Sequence, residues 1–295
     1  MTSDSPAIPW RRAIDDPAQE KSAATGWDAR LALRFELEGG RTVLRGREHV
    51  GPLRVQKALY PEDDRVCQVV VVHPPAGIVA GDSLTIDFAA KADAHAQATT
   101  PGAAKWYRST GRFARSSTTV RAESGAIVEW LPLETLLFDG ARARIALAIE
   151  LSGDARFVGW DITCLGRTAS GERFESGRLE QRFDLRRDGE LLWCDRIVLE
   201  GGAPALHSGA ILGGAPVFGT MIAAPGDTSD ALLAACRGVR CDSGRGAVTR
   251  LPHVLVARFV GDSIAVARMY FATLWGLLRP ALAGREAVHP RIWNT

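Results

Sequence analysis

The chain has 295 residues, of which 46% are hydrophobic and 24% charged; this is core-forming material in globular proportion, and it excludes a disordered chain. Its 36 basic and 34 acidic residues are interspersed with no block of five or more like charges, so neither nucleic acid nor a membrane surface is an expected partner. Five cysteines, an odd number without a CxxC pair, point to free thiols in the cytoplasm and away from a disulfide framework.

Residues 1–26 are rich in Pro, Ser, Asp and Ala without a sustained period and read as a flexible arm lacking the apolar core of a signal peptide. A single β-rich domain, 27–295, is expected after it. LALRFEL sets Leu31, Leu33, Phe35 and Leu37 on one side of a strand, with Arg34 and Glu36 on the other. RIALAIEL repeats the alternation with Ile145, Leu147, Ile149 and Leu151. Further strand-like runs are TVLRG, LRVQKAL, VCQVVVV, LTIDF, STTVRA, AIVEWL, RFVGWDIT, LEQRFDL, LLWCDRIVLE, VFGTMIA and VLVARFV, separated by Gly, Pro or Asp. Many short strands without interleaved long helices predict a mainly β fold, in antiparallel or solenoid-like sheets.

Two α-helices are predicted in the C-terminal third. Ser229 caps DALLAACRG, which Gly238 closes. The second covers 265–278, with Val266, Met269, Tyr270, Leu274, Leu277 and Leu278 at helical spacing and Phe271 and Trp275 broadening its apolar face, until Pro280 ends it. Within it MYFATLWGLL is bracketed by Arg268 and Arg279, far short of the roughly 20 apolar residues that span a bilayer.

Several chemistries lose their support. The GxxxxGK[ST] phosphate loop, GxGxxG and the GxSxG elbow are absent. The histidines, at 49, 73, 95, 207, 253 and 289, never form HxH or HxxxH, so no short stretch supplies a chelating pair. Cys236 and Cys241, with His253 downstream, are candidates for a soft cation, the ordinary alternative being buried or helix-end thiols. The dense polar loops remain. TTPGAAKWYRS (99–109) places Lys105 and Arg108 around Trp106 and Tyr107, and EWLPLETLLFDGARAR (129–144) carries Glu129, Glu134 and Asp139. In FVGWDITCLGR (157–167) Asp161 interrupts an apolar strand; a buried aspartate needs a partner, and Arg167 is the nearest. From the residues alone the 99–109 loop reads first as a packed turn and the 129–144 loop as capped turns or a site, and the acidic loops leave open a carbohydrate-active β-solenoid enzyme working through paired carboxylates.

Taken together the loops resemble one family. GPLRVQKALYPE (51–62), HPPAGIVAGD (73–82), TTPGAAKWYRS (99–109), EWLPLETLLFDGA (129–141), GWDITCLGR (159–167) and PRIWNT (290–295) are similar, in order, to the signature blocks of the urease accessory protein UreD (UreH) family. The family pattern is HPPGG followed by GGD, and Ala76 and Ala80 stand here for two of those glycines: the loop shape survives if Gly77 and Gly81 carry the positive-φ requirement, and the local backbone differs if the missing glycines carried it.

The resemblance implies a mostly β fold with two helices and a non-enzymatic metallochaperone, one that binds apo-urease and works with UreF and UreG in nickel insertion and urease maturation. It implies no tightly bound cofactor, only nickel in transit, and a proposed internal tunnel; a purely structural adaptor is the alternative. A cation that moves must be bound weakly at successive stations, which suits scattered carboxylates and hydroxyls. Among the matching blocks and strand ends the candidates are Asp82, Thr99, Thr100, Glu134, Asp139, Asp161 and Glu200. For partner contacts the C-terminal apolar face and tail nominate Met269, Tyr270, Trp275 and Trp293.

Overall fold

The computed structural model describes residues 26–226 and 228–294, so the arm read at 1–26 lies, except for Gly26, outside the described residues. In chain order the first strands are β1 (Asp28–Glu38), β2 (Arg41–Val50), β3 (Arg54–Val55), β4 (Val66–Val72), β5 (Ser83–Ala90), β6 (His95–Thr99), β7 (Ala104–Trp106), β8 (Ala114–Ala122) and β9 (Ile127–Leu131). There follow β10 (Thr135–Leu137), β11 (Arg142–Leu151), β12 (Arg156–Leu165), β13 (Arg178–Arg187), β14 (Glu190–Glu200), β15 (Val217–Ala224), β16 (Arg245–Leu251) and β17 (Val254–Gly261). LRVQKAL is a strand only at Arg54 and Val55, and β7, β10 and β16 are strands that the apolar pattern does not announce.

From β4 to β13 the chain alternates between two facing sheets. One has the order β14-β13-β11-β8-β5-β1-β2, and the other runs β16-β17-β15-β12-β9-β6-β4-β3, with β10 and β7 beside β12. Within the first, β1, β5, β8, β11 and β13 are parallel neighbours, as are β4, β6, β9 and β12 in the second. Each circuit therefore adds one strand to both sheets, which makes the centre a flattened solenoid; the antiparallel pairs β1–β2, β13–β14, β12–β15, β15–β17 and β16–β17 close its ends. Alternation marks which face is buried and is silent on strand polarity, which is why the residue pattern predicted both arrangements together.

Leu31, Leu33 and Phe35 point inward as the alternation predicts, and with Phe88, Trp130, Phe157 and Phe183 they fill the space between the sheets. The outer face of the first sheet stays wet and is laced by cross-strand ion pairs: Arg121 on β8 reaches Asp87 at 3.1 Å on β5 and Glu150 at 2.9 Å on β11. The outer face of the second sheet is covered by α1 (Asp230–Gly238) and α2 (Ile264–Ala283). This second core packs Phe271, Leu274, Trp275 and Leu278 against Trp160, Ile162, Met221 and Phe259, so that β15 is buried on both faces.

Ser229 caps α1 by accepting the Leu232 N–H at 3.1 Å, and Ser263 caps α2 by accepting that of Val266 at 3.3 Å. Pro280 does not end α2, contrary to the sequence reading. The helix continues to Ala283 and stops at Gly284, whose φ of +65° is the left-handed cap. Arg279, fully buried and ion-paired, fixes the backbone immediately before the proline, and a proline this close to the C-terminus forfeits a single hydrogen bond. Among the described residues no helix is long and apolar enough to cross a membrane.

The contact of α2 with the second sheet is close enough to test. A Cβ on Gly219 of β15 would lie 2.6 Å from the Phe271 ring and 2.9 Å from the Asp161 carbonyl oxygen. Gly219→Ala should lower stability by about 1–3 kcal/mol through overpacking, read as a shifted urea midpoint; an unshifted midpoint would mean that helix and sheet are not in such contact.

Candidate functional site

Loops 73–82, 100–112 and 132–141 follow β4, β6 and β9, so parallel pairing gathers them at one end of the solenoid. Beneath them, between the sheets, lies a cavity of about 360 Å³. Its polar lining includes His73, Thr100, Lys105, Ser116, Thr118 and Asp161, set among apolar groups such as Ile86, Trp130, Leu147 and Phe183. Apolar walls with a few polar groups from different strands are the usual make-up of a small-ligand pocket.

Asp161 is the carboxylate of this lining. Thr163 Oγ1 donates to its Oδ1 at 2.8 Å and Gln181 Nε2 at 3.0 Å, the latter reaching across from the first sheet. Enclosure pushes its carboxyl above the usual range, against the pull of these two donors. Arg167, its expected partner, instead turns outward to pair with Glu172 at 2.7 Å and covers the Phe138 ring. The reason is geometric: Asp161 sits mid-strand facing inward, whereas Arg167 lies beyond the end of β12.

The HPPAGIVAGD loop is shaped as well as polar. Asp82 Oδ2 accepts the Val79 N–H at 2.9 Å and Oδ1 that of Trp27 at 2.8 Å, so its carboxylate staples the loop to the start of the first sheet. Gly81 has φ +90°, while a Cβ on Gly77 would run into the Tyr107 ring. The two retained glycines thus carry the geometry, and Ala76 and Ala80 are accommodated with ordinary φ.

The remaining candidates are scattered around this end. Thr100 lines the cavity and accepts the Leu133 N–H at 2.9 Å, and Thr99 faces the opposite side of its sheet, donating to the Leu131 carbonyl at 2.7 Å. Glu134 has one buried carboxylate oxygen, Oε2, without a hydrogen-bond partner among the described residues. Asp139 accepts the N–H groups of Glu175 and Ser176 at 2.9 and 2.8 Å and pairs with Arg108; burial works against ionisation there, but these bonds hold its carboxyl below the usual range. Glu200, at the end of β14, pairs with Arg178. Cys236 and Cys241 pack with Tyr270, whereas His253 turns the β16–β17 hairpin beside Thr228 at the other end of α1. Among the described residues no group of three or more His, Cys, Asp or Glu side chains is placed to hold a metal ion.

Of the C-terminal candidates, Tyr270 and Trp275 are interior and Met269 is exposed. Trp293 is partly buried, with its ring centroid 5.8 Å from that of Trp160 and 6.0 Å from that of Trp275. Met269, His289 and Trp293 line a groove of about 320 Å³ between α2 and the tail.

A buried polar seam beneath α2 was missed by the sequence reading. Glu129 on β9 has no exposed surface, yet it receives Trp275 Nε1 at 2.6 Å, lies 2.6 Å from His95 Nε2 and is gripped by Arg279 through Nε and Nη2 at 3.1–3.2 Å. Arg279 also reaches Glu62 at 2.6 Å and the Glu286 carbonyl. Burial pushes the Glu129 carboxyl up, but His95 and Arg279 more than offset it and hold it at about 2. The clues were present: HAQAT alternates polar residues with alanine in a buried strand, and Trp275 and Arg279 are one helical turn apart on an apolar face.

Comparison with known proteins finds relatives that match nearly the whole chain. The family model described as UreD urease accessory protein matches residues 28–294. Urease accessory protein UreD of Azoarcus sp. (strain BH72) is 49% identical over 283 residues, covering 96% of this chain and 99% of the relative. That of Dechloromonas aromatica (strain RCB) is also 49% identical, over 95% of this chain and 98% of the relative. That of Pseudomonas aeruginosa PAO1 is 48% identical over 91% and 95% respectively.

Two measurements probe the seam. Arg279→Met leaves Glu129 buried without its guanidinium and should cost about 3–5 kcal/mol in urea unfolding, much of it recovered in Arg279→Met/Glu129→Leu. The acid limb follows from the depressed carboxyl: with a folded-state value of about 2 against an ordinary 4.5, its contribution is complete above pH 4.5 and is lost as pH falls through 2. Glu129→Gln should therefore flatten the decline of stability across that window, and an unchanged slope would contradict the assignment.

Proposed function

This chain belongs to the family of UreD urease accessory proteins, and on that premise we propose that it is a non-enzymatic cytoplasmic scaffold that binds apo-urease with UreF and UreG and gives nickel a path toward the urease active site. The observation that carries the nickel part is the cavity between the sheets, with Asp161 among the hydroxyls of Thr100, Ser116 and Thr118 and with His73 near the loop end.

The physical case is one of affinity. A soft, closed set of thiolate and imidazole ligands would hold nickel tightly, whereas a single enclosed carboxylate among hydroxyls offers weak successive contacts. Asp161, already positioned by Thr163 and Gln181, keeps its orientation without an ion and need not reorganise when one passes. Asp82, Asp139 and Glu200, tied to backbone groups or to arginine, serve this reading chiefly by fixing the loops and strand ends around the mouth. On the partner side the exposed Met269 and the tail groove supply the apolar contact surface, and the interior Tyr270 and Trp275 support it from below.

The test is activation of purified apo-urease by UreF, UreG, nickel, bicarbonate and GTP, with and without this protein. Activation is expected to require it, and Asp161→Ala should lower nickel-dependent activation at least several-fold while leaving assembly of the complex intact. Full activation by Asp161→Ala would remove the cavity from the nickel route and leave a structural adaptor; activation without the protein would overturn the scaffold role.

A further inference from the structure

The cavity between the sheets and the groove beside the tail are separate spaces with a common wall. Pro132, Leu133 and Trp160 line both. Of these, Pro132 and Leu133 belong to the irregular segment between β9 and β10, which the sheet ladder does not hold. Side chains hold it instead. The Leu131 carbonyl accepts from Thr99 Oγ1 at 2.7 Å, the Pro132 carbonyl from Trp160 Nε1 at 2.8 Å, and the Leu133 N–H donates to Thr100 Oγ1 at 2.9 Å.

Two of these three ties lead to the same residue. Trp293 Nε1 donates to Thr99 Oγ1 at 2.8 Å, so Thr99 passes the bond on to Leu131, and the Trp293 ring packs against the Trp160 ring with centroids 5.8 Å apart. Trp293 sits on a single turn of 3₁₀ helix near the end of the chain, Arg291–Asn294, held by the Pro290 carbonyl at 3.0 Å and by Arg268 at 3.4 Å. A single 3₁₀ turn outside both sheets, held by these bonds and by ring contacts with Trp160, Trp275 and His289, opens at lower cost than a sheet strand.

We propose that Trp293 is a bolt on the wall between cavity and groove, and that its release frees the 132–133 segment to open a passage from the cavity to the C-terminal face. The proposal rests on the reading that the cavity carries a cation, and it adds the place and the control of one opening. With Trp293 seated, Thr99 is polarised and Trp160 is pinned, which keeps Pro132 and Leu133 closed. With Trp293 withdrawn, Thr99 loses its donor and Trp160 keeps Phe271 but loses the Trp293 ring, so the ties to Leu131 and Pro132 weaken while the Thr100 tie on the cavity side is untouched.

Amide hydrogen exchange on the full-length protein tests the bolt directly. Trp293→Ala and Thr99→Val should speed exchange at the Leu133 N–H at least tenfold, with Trp293→Phe, which keeps a ring but no donor, in between, while the ladder of β1 and β11 exchanges as before. A Leu133 rate equal to wild type in Trp293→Ala, or a uniform acceleration across all strands, would overturn the proposal. For the passage, Leu133→Trp enlarges the wall residue and should lower nickel-dependent urease activation at least fivefold with complex assembly retained; unaltered activation by that variant would overturn the opening. If wild-type protein itself failed to support activation, the scaffold reading would fall, and the exchange result would still judge the bolt.

Discussion

An ion pair sealed from water, Glu129 with Arg279, sets the arrangement of the C-terminal third. A carboxylate with no exposed surface is tolerable only when every lone pair has a donor, and here the donors come from β6, from α2 twice, and through Arg279 the pair reaches Glu62 before β4. Such a cluster contributes little net stability relative to an apolar plug of the same volume. Its effect is registry. Sliding α2 by one turn would part Trp275 and Arg279 from Glu129 together, so the helix has one acceptable position on its sheet, and the tail that follows it is delivered to one place.

That placement ties the second core to the solenoid. The parallel strands bring three loops to one end, and the side of β6 that faces between the sheets supplies Ala96 and Ala98 to the core. The other side of the same strand supplies His95, Gln97 and Thr99 to the seam and tail. A strand five residues long thus faces the space between the sheets on one side and the buried polar seam on the other, a division that the two-residue period of the β conformation makes unavoidable.

Much of this was legible in the residues. Alternation in LALRFEL and RIALAIEL marked buried faces, Ser229 marked a helix start, and the punctuated short strands marked a β fold with a solenoid alternative. Other features were not legible because they depend on partners distant in sequence. Strand polarity follows from which sheet the next segment joins, which no local pattern encodes. Arg167 was nearest to Asp161 along the chain, but strand direction separates them and brings Gln181 instead. Pro280 carries a strong local stop signal, overridden by the ion pairs of its neighbour. Asp82 and Asp139 show that a carboxylate in a polar loop is often engaged by backbone N–H groups, a role invisible until the turn is formed.

The separation between the partners of the seam also bears on synthesis. Glu129 leaves the ribosome 150 residues before Arg279, so the solenoid circuits are translated long before the helix that seals them. During that interval the seam of β6 and β9 offers water His95, Gln97 and Glu129 in place of bare hydrocarbon. A half-made chain thereby presents a hydrated surface where the folded one has a closed interior, and α2 covers that surface only after the solenoid strands have been made.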